Sequence, residues 1–378
     1  MTRAMLLVTD LQRGGTPMRV VRWASWLPRI GVTPIVGCLA PRGPLNDELD
    51  RCGIENFHCD AAGPFDLRVF PRLTVQIMRR RPDLVHAFLF HANVAARLVG
   101  RALGRPVITG TATVEIERIW HRRVETLTGR MSQLHVVNSH AVARHVVNDL
   151  HFPVNRVVVV PSGIDLAHVD ATPPIDRKAW NLPDHVPLVI WCGRMDPIKR
   201  LDTWIEVFVR VRSQMNLCGV LVGDGPTRGP LEMALRGRGL LLEAGGGAPD
   251  HAVNRVRMIG WTDQVIAWLK AADALLLTSG TEGNPNIVLE AMAAGCAVIS
   301  SAVGGCVDLI EPGRSGWLVS PTDIAGFVTS LEAACANPAL RRRYASVARS
   351  HVEQCESPDS VLAMLDRVYQ RVLRDSRR

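Results

Sequence analysis

Short apolar runs rich in β-branched residues alternate with segments of helical periodicity along the whole chain. In the first half, the apolar runs predict strands at 5–9, 34–39, 84–88, 107–109, 134–137 and 156–160. The periodic segments between them predict helices at 18–29, 71–80, 92–103, 116–128 and 141–149. Thr16, which precedes Pro17, and Ser139 are the expected N-caps of two of these helices.

The second half repeats this order. Strands are predicted at 188–192, 219–222, 256–259, 274–278, 297–300 and 316–319. Helices are predicted at 201–212, 231–236, 262–271, 287–294, 322–336, 339–353 and 358–374. Strands separated by helices form parallel β-α-β units, so the pattern predicts an α/β protein with two doubly wound, Rossmann-like domains.

The break between the two halves falls after the strand that ends near Val160. A Pro-Ser-Gly-Ile-Asp turn follows at 161–165, and 171–187 is rich in Pro and Asp. We therefore expect an N-terminal domain at 1–165, a C-terminal domain at 166–357, and a final helix at 358–378 that packs back on the N-terminal domain.

Charge is distributed unevenly over the 378 residues. The net charge of +8 resides in residues 1–165, which hold 21 arginines and 13 acidic side chains, whereas 166–378 are neutral. No nucleic-acid recognition motif accompanies this charge, and Tyr and Phe number only two and eight. An anionic membrane surface or a lipid-phosphate acceptor is therefore the expected partner of the first domain, and no nucleic acid is expected.

The spacing of the cysteines and the length of the apolar runs indicate the cellular compartment. Nine cysteines, with no C-x-x-C pair, favour free thiols in a reducing environment. No apolar run reaches the length of a membrane-spanning helix, and the N-terminus lacks a signal-peptide pattern. We expect a cytoplasmic protein that can work as a peripheral protein at the inner membrane face.

The candidate binding residues lie in the loops directly after the predicted strands, because open α/β sheets bind ligands at the carboxyl ends of their strands. Gly193, Arg194 and Lys199 lie in the loop after strand 188–192, where two cations at a helix start suit a diphosphate. A solvated loop with unrelated cations is the alternative. Gly223 follows the next strand, in a G-x-G-x-x-x-G run that only weakly resembles a nicotinamide fingerprint.

The segment 278–295 joins a strand to a helix through a loop rich in Gly, Asn and Pro. Glu282 lies in the loop, where it could meet a polar ligand group, and Glu290 lies one turn into the helix, where it could bind a ribose diol. Alternatively, Glu282 caps the helix and Glu290 is solvated. The open N–H groups at the helix start can hold a phosphate; they belong to Asn286, Ile287 and Val288. Glycine pairs also follow strands at 14–15 and 304–305.

Taken together, these motifs resemble the retaining nucleotide-sugar glycosyltransferases of family four (group 1), which have the GT-B fold of two Rossmann-like domains facing across a cleft. The resemblance rests on the Gly-Arg plus Lys segment at 193–199, Val-Gly-Asp-Gly-Pro at 222–226, the two glutamates, and Gly-Gly at 304–305. Gly-Trp-Leu-Val at 316–319, Pro-Ser-Gly-Ile-Asp at 161–165, Gly-Gly at 14–15 and Asp-Leu-Val-His at 83–86 also fit.

This resemblance implies roles for the matching residues. Arg194 and Lys199 would neutralise the donor diphosphate, and Glu282 would contact the sugar; these three form the implied catalytic set. Donor binding would involve Gly14, Gly15, Gly193, Gly223, Asn286, Ile287, Val288 and Glu290.

The segment 110–115 departs from the family pattern, in which many members carry a His at this point. Here it reads Gly-Thr-Ala-Thr-Val-Glu, so Glu115 or Glu117 is the nearest polar substitute. His91 is the other candidate for contact with an acceptor. The histidine pairs 86/91 and 140/145 lack the i,i+4 spacing of a helical metal site, and no D-x-D triplet occurs. We expect no metal and no cofactor, with a UDP-sugar as the substrate.

The expected function is sugar transfer from a nucleotide-sugar donor to a lipid-linked or saccharide acceptor in polysaccharide or glycolipid synthesis. Two alternatives remain at this point. One is a nucleotide-sugar epimerase of the same fold, and the other is a non-catalytic nucleotide-sugar-binding homologue, suggested by the missing His.

Overall fold

The computed structural model describes residues 1–113, 119–242 and 249–376. The chain divides into two compact units. The first unit consists of Met1–Gly163 together with Pro358–Arg378, and the second unit consists of Ile164–Ser357.

In the described part of the first unit, seven parallel strands form one sheet in the order β3-β2-β1-β4-β5-β6-β7. The strands are β1 (Thr2–Val8), β2 (Val32–Cys38), β3 (Glu55–His58), β4 (Leu84–Phe88), β5 (Val107–Thr111), β6 (Leu134–Val137) and β7 (Val157–Val159). The helices that alternate with them are α1 (Gly15–Trp26), α2 (Pro44–Arg51), α3 (Val69–Arg80), α4 (Phe90–Ala102), α5 (Ile119–Thr128) and α6 (His140–Asn148). Helices cover both faces of the sheet, so its central strands are apolar on both sides.

The described part of the second unit has a six-stranded sheet in the order β10-β9-β8-β11-β12-β13, again with all strands parallel. The strands are β8 (Leu188–Cys192), β9 (Cys218–Val222), β10 (Val256–Ile259), β11 (Ala274–Leu277), β12 (Ala297–Ser301) and β13 (Trp317–Val319). The helices are α7 (Leu166–Ala171), α8 (Leu201–Arg212), α9 (Arg228–Gly237), α10 (Val265–Ala271), α11 (Asn286–Ala294), α12 (Cys306–Leu309), α13 (Ile324–Ala336) and α14 (Pro338–Cys355).

The last helix, α15 (Pro358–Asp375), belongs to the first unit. Its apolar face joins the same core cluster as β1 and α1. Tyr369 is buried in this cluster and its hydroxyl lies 3.1 Å from Nδ1 of His86 on β4. Burial and the nearby Arg19 charge lower the pKa of His86 to about 3, so this imidazole is neutral and structural.

The α/β class and the two Rossmann-like domains are confirmed, and each predicted strand is present with small shifts of its ends. Ser139 caps α6 as predicted, with its hydroxyl accepting from the Val142 N–H. The expected cap at Thr16 is wrong, because α1 starts earlier and Gly14 is its N-cap. The sequence patterns also missed α2 and β3, since β3 is a short edge strand with only one buried residue.

Among the described residues, no helix combines the length and the apolar character that crossing a membrane requires.

Candidate active site

The loops that follow β8 and β9 lie in backbone contact at the carboxyl edge of the second sheet. Gly223 has φ +133°, and a Cβ at this position would lie 1.9 Å from the Gly193 carbonyl oxygen. The Met195 N–H donates to the Asp224 carbonyl at 2.8 Å, which closes the two loops on each other. Glycine is therefore required by space as well as by conformation at position 223.

Lys199 and Glu282 form an ion pair at this edge, with 2.7 Å between Nζ and Oε1. Glu282 is 9% exposed, and the Lys199 side chain is 23% exposed. Charge-assisted hydrogen bonds of this length are strong, and partial burial limits screening by water. The two residues that the sequence assigned to diphosphate and sugar contact are thus brought together.

Backbone bonds hold the lysine in place. Lys199 ends a short 3₁₀ turn that begins at Pro197, and the Asp196 side chain caps this turn by accepting from the Ile198 N–H. The Gly280 N–H donates to the Ile198 carbonyl at 2.8 Å, and the Thr278 hydroxyl donates to the Arg200 carbonyl at 3.0 Å. The loop after β8 is therefore tied to the end of β11, the strand that leads to Glu282.

The Gly304–Gly305 turn after β12 holds the Glu282 loop from the other side. The Gly305 N–H donates to the Gly283 carbonyl at 2.7 Å. Gly304 has φ +49°, and a Cβ there would lie 1.5 Å from the Glu282 carbonyl oxygen. The backbone position of Glu282 is thus set by a turn from a neighbouring strand.

Helix α11 begins at Asn286, directly after the Glu282 loop, and its N-cap Pro285 supplies no side-chain cap. N–H groups in a first helical turn lack helical partners and favour anions. Asn286 and Ile287 occupy this turn. Asn286 has an interaction of its own, and the Val288 N–H donates to the Pro285 carbonyl at 3.0 Å.

Glu290 lies near the carboxyl end of β8. Its negative charge adds to the effect of burial, the larger cause, in raising the pKa of the Cys192 thiol.

Arg194 is placed differently from the other predicted residues: its side chain is 74% exposed, and its Nε lies 3.9 Å from Asp196. The structure does not bring Arg194 into the Lys199–Glu282 pair.

In the first unit, the predicted glycines lie at the start of α1. Gly14 is the N-cap in extended conformation, and Gly15 is the first helical residue. The Gly14 carbonyl accepts the Met18 N–H at 3.0 Å, so the helix is regular from its first turn. This places another helix N-terminus at the carboxyl edge of a sheet.

A cluster of aromatic side chains, which we call the aromatic cluster, lies at the carboxyl edge of the first sheet; its members are Phe65, Phe90, His91, Trp120 and His121. Phe90 stacks on His121 with ring centroids 3.9 Å apart, and Trp120 lies edge-on to Phe90. Leu89, just before them, has φ +73°, an uncommon conformation for a branched residue. The strained turn directs Phe90 and His91 out of β4.

His91 differs from the other predicted histidines. Its Nε2 is buried and has no hydrogen-bond partner among the described residues. Burial also lowers the pKa of this imidazole, so it is neutral at pH 7. His86 is packed in the core and His145 pairs with Asp149 at 2.7 Å. Among the described residues, no three His, Cys, Asp or Glu side chains are grouped as a metal site.

Gly110 and Thr111, at the start of the segment that lacks the family His, are held by buried polar residues. Asn93 donates to the Gly110 carbonyl and accepts from its N–H, and His135 contacts the hydroxyls of Thr109 and Thr111. The predicted acceptor residue Glu115, and Glu117, lie outside the described residues.

Beneath this segment, Arg97 pairs with Glu125 at 2.6 Å, with both side chains almost completely buried. Arg97 also donates to Thr109, so the pair is linked to the network that holds β5. Sequence reasoning missed this network and the aromatic cluster. Asn93 and Arg97 on α4 and Glu125 on α5 form no sequence motif. For the aromatic cluster, the one sequence signal was that Trp120 and His121 are adjacent in the chain.

Two family models match the chain, one in each unit. Residues 186–337 match "Glycosyl transferases group 1", and residues 13–168 match "Glycosyltransferase Family 4". The chain belongs to these glycosyltransferases. The match agrees with the resemblance drawn from the strand-end motifs, so that identification is confirmed.

Curated relatives of this glycosyltransferase include N-acetyl-alpha-D-glucosaminyl L-malate synthase of Bacillus anthracis. It is 24% identical over 201 residues, which cover 53% of this chain and 50% of the relative. D-inositol 3-phosphate glycosyltransferase of Nocardioides sp. is 25% identical over 342 residues, covering 80% of this chain and 73% of the relative. The chain also spans about half the length of several other curated relatives that it matches.

Solved structures share the fold along nearly all of the chain. HepE of Anabaena, crystallised with UDP, has a TM-score of 0.83 at 18% identity and covers 98% of this chain and 100% of its own. Sucrose-phosphate synthase of Thermosynechococcus elongatus has a TM-score of 0.80 at 17% identity, covering 99% and 100%. These likenesses confirm the predicted GT-B fold class.

Proposed function

We propose that this glycosyltransferase transfers a sugar, with retention, from a nucleotide-sugar donor to a saccharide or lipid-linked acceptor. The Lys199–Glu282 pair beside the start of α11 is the observation that carries the proposal. A UDP-sugar is the proposed donor, because HepE, which shares the fold, was crystallised with UDP and with UDP-glucose. No metal takes part in the proposed reaction.

The donor diphosphate would lie at the start of α11, with its oxygens toward Lys199 and the N–H groups of Asn286 and Ile287. Lys199 would then exchange Glu282 for a phosphate oxygen, leaving the Glu282 carboxylate to accept a hydroxyl of the sugar. In the transfer, the bond between the anomeric carbon and the diphosphate oxygen breaks, and the acceptor oxygen forms the new bond. The acceptor proton passes to the leaving diphosphate, whose growing charge Lys199 and the helix N-terminus stabilise.

Arg194 would add a mobile cation to this site, because its exposed side chain can turn toward a bound diphosphate. Glu290, near the end of β8, would accept the ribose hydroxyls. Gly193 and Gly223 would let the backbone approach the nucleotide. Gly14 and Gly15 are also proposed as donor-binding residues.

The proposal is tested by incubating the full chain with UDP-, GDP- and ADP-sugars and a panel of saccharide and lipid-phosphate acceptors. Release of nucleoside diphosphate together with a glycosylated acceptor is the expected result. Binding also raises the thermal midpoint by mass action, so a thermal-shift screen selects the nucleobase. Donor conversion without an acceptor product would indicate an epimerase, and binding without turnover would indicate a non-catalytic homologue; either result contradicts the proposal.

The aromatic cluster supports an acceptor site in the first unit. Trp120 is 36% exposed, so it presents ring surface on which an apolar sugar face can stack. The neutral His91 imidazole supplies a hydrogen-bonding group beside these rings.

Replacing Trp120 with alanine is expected to raise KM for the acceptor about fivefold, because a stacking contact of this kind contributes about 1 kcal/mol. Steady-state kinetics with the acceptor chosen by the panel would measure it. Leu127→Ala, a 79% exposed residue on the same helix, is the matched control. An unchanged acceptor KM in the Trp120 variant, with normal donor hydrolysis, would remove Trp120 from the proposed site.

An anionic membrane surface is part of the proposed function of the first unit. With α15 included, the first unit holds 26 basic and 15 acidic side chains, a net charge of +11, whereas the second unit has a net charge of −3. Positive charge of this size draws a protein toward anionic lipid.

A further inference from the structure

Helix α3 has an outward face that is apolar as well as an inward one. Val69, Leu73 and Ile77 are buried against the first sheet. On the opposite side, Pro71, Val75 and Met78 follow the i, i+4, i+7 spacing of one helix face and are exposed. Val75 is 59% exposed and Met78 is 61% exposed.

The apolar surface continues into the segment before the helix, where Phe65 and Leu67 are each 73% exposed. Together with the outward residues of α3, these side chains form what we call the α3 stripe: Phe65, Leu67, Pro71, Val75 and Met78. Soluble proteins rarely gather several large apolar side chains in one exposed region unless the region contacts something.

The charge around the stripe has one sign. Residues 67–82 contain five arginines and no acidic residue. Arg68 and Arg80 pair with Asp66 and Glu55 of neighbouring segments, and Arg72 donates to backbone carbonyls. Arg79 and Arg81 are exposed at the end of α3, and no ion pair of theirs occurs among the described residues.

We propose that the α3 stripe is the surface by which the first unit docks on an anionic lipid bilayer, with Arg79 and Arg81 at the lipid headgroups. An apolar helix face beside cationic side chains is the chemistry of an interfacial helix, which buries the apolar side chains at the level of the headgroups. Exposed arginines beside an apolar helix face match the negative charge of lipid headgroups, which a second copy of the first unit, with its net charge of +11, does not supply. This docking surface rests on the membrane association included in the proposed function and gives it a location. Vesicle binding can be measured without any glycosyl transfer.

The test is co-sedimentation of the full chain with vesicles of phosphatidylcholine, with and without phosphatidylglycerol, at low and high salt. The unmodified chain is expected to bind the vesicles that contain phosphatidylglycerol and to be released by salt. The double variant Arg79→Gln, Arg81→Gln is expected to bind about 30-fold more weakly, since each cation near such a surface contributes about 1 kcal/mol. Val75→Ala combined with Met78→Ala is expected to weaken binding about tenfold through lost apolar area.

Matched controls separate the surface from general effects. Arg101→Gln with Arg144→Gln removes the same charge from exposed positions elsewhere on the first unit, and Met233→Ala removes an exposed methionine from the second unit. Both controls should bind vesicles like the unmodified chain. All variants should keep the thermal midpoint and the affinity for UDP, which tests folding and the donor site independently of lipid.

Three results would overturn the docking surface. The first is equal binding by both α3 variants and the unmodified chain. The second is an equal loss in the Arg101, Arg144 control, which would assign the effect to net charge alone. The third is a dimer that forms without lipid in sedimentation equilibrium and dissociates in the double variant Val75→Ala, Met78→Ala. That result would show that a second copy of the chain covers the stripe. Failure of glycosyl transfer with intact vesicle binding would count against the proposed function only.

Discussion

Lys199→Ala is expected to lower kcat/KM for the nucleotide-sugar donor by about 10³-fold. Two effects act in the same direction. The variant removes the cation that would stabilise the leaving diphosphate, and it leaves the Glu282 carboxylate, 9% exposed, without its partner at 2.7 Å. Without the lysine cation beside it, the Glu282 carboxylate would also repel the donor diphosphate, so donor binding weakens as well.

The measurement is steady-state release of nucleoside diphosphate, combined with UDP binding by calorimetry. Weaker UDP binding together with the fall in turnover would show that Lys199 acts on the diphosphate. Lys199→Arg keeps the positive charge and should retain more activity than the alanine variant.

The chain provides a matched control for this lysine, since only three lysines occur in it. Lys178 is exposed in the segment between α7 and β8, and Lys178→Ala should leave both turnover and UDP binding unchanged. If Lys199→Ala behaved like Lys178→Ala, the Lys199–Glu282 pair would be structural and the proposed donor site would be wrong.

Gly304→Ala is the second substitution with a large expected effect. The added Cβ would lie 1.5 Å from the Glu282 carbonyl oxygen, a distance that no alanine tolerates, so the Glu282 loop or the β12 turn must move. Because transfer depends on positions held to within about 0.5 Å, we expect kcat/KM to fall by at least about 10²-fold. A clash between two backbones should also lower the free energy of unfolding by about 3 kcal/mol.

Gly313→Ala is the control that separates the effect of the steric clash from the effect of a left-handed backbone conformation. Gly313 has φ +76°, also in the left-handed region, but the nearest atom to its added Cβ is the Tyr344 hydroxyl at 4.0 Å. This control should lose only about 1 kcal/mol of stability and no activity. Urea unfolding and donor kinetics on both variants provide the comparison, and equal activity in the two would contradict a positioning role for the Gly304 turn.

Sequence patterns determined the architecture of the two sheets. Parallel strands buried on both faces appear as apolar runs, and the amphipathic helices between them have their own period, so both elements can be recognised locally. Short polar elements at the sheet edge, such as α2 and β3, carry neither signal and were missed. The order of the strand-end motifs also sufficed to identify the glycosyltransferase family, since each motif lies within a few consecutive residues.

Contacts between residues far apart in the chain were decided only by the tertiary structure. Lys199 and Glu282 were each assigned from a local motif, but their ion pair spans 83 positions and depends on the pairing of β8 with β11. The Gly304 turn and the Asn93–Gly110 bonds are likewise products of neighbouring strand ends. Arg194, placed by its motif beside Lys199, instead has its side chain in solvent.

The sequence by itself therefore determined which segments form strands and helices, which strand ends carry glycine, cation and carboxylate, and which half of the chain is basic. The tertiary structure decided which of those side chains meet, where the aromatic cluster forms, and that α3 keeps an apolar face toward solvent. The physical reason is that hydrophobic periodicity and strand-end motifs are local along the chain. Side-chain partners and the exposure of a face depend on how separate elements pack, which no single segment encodes.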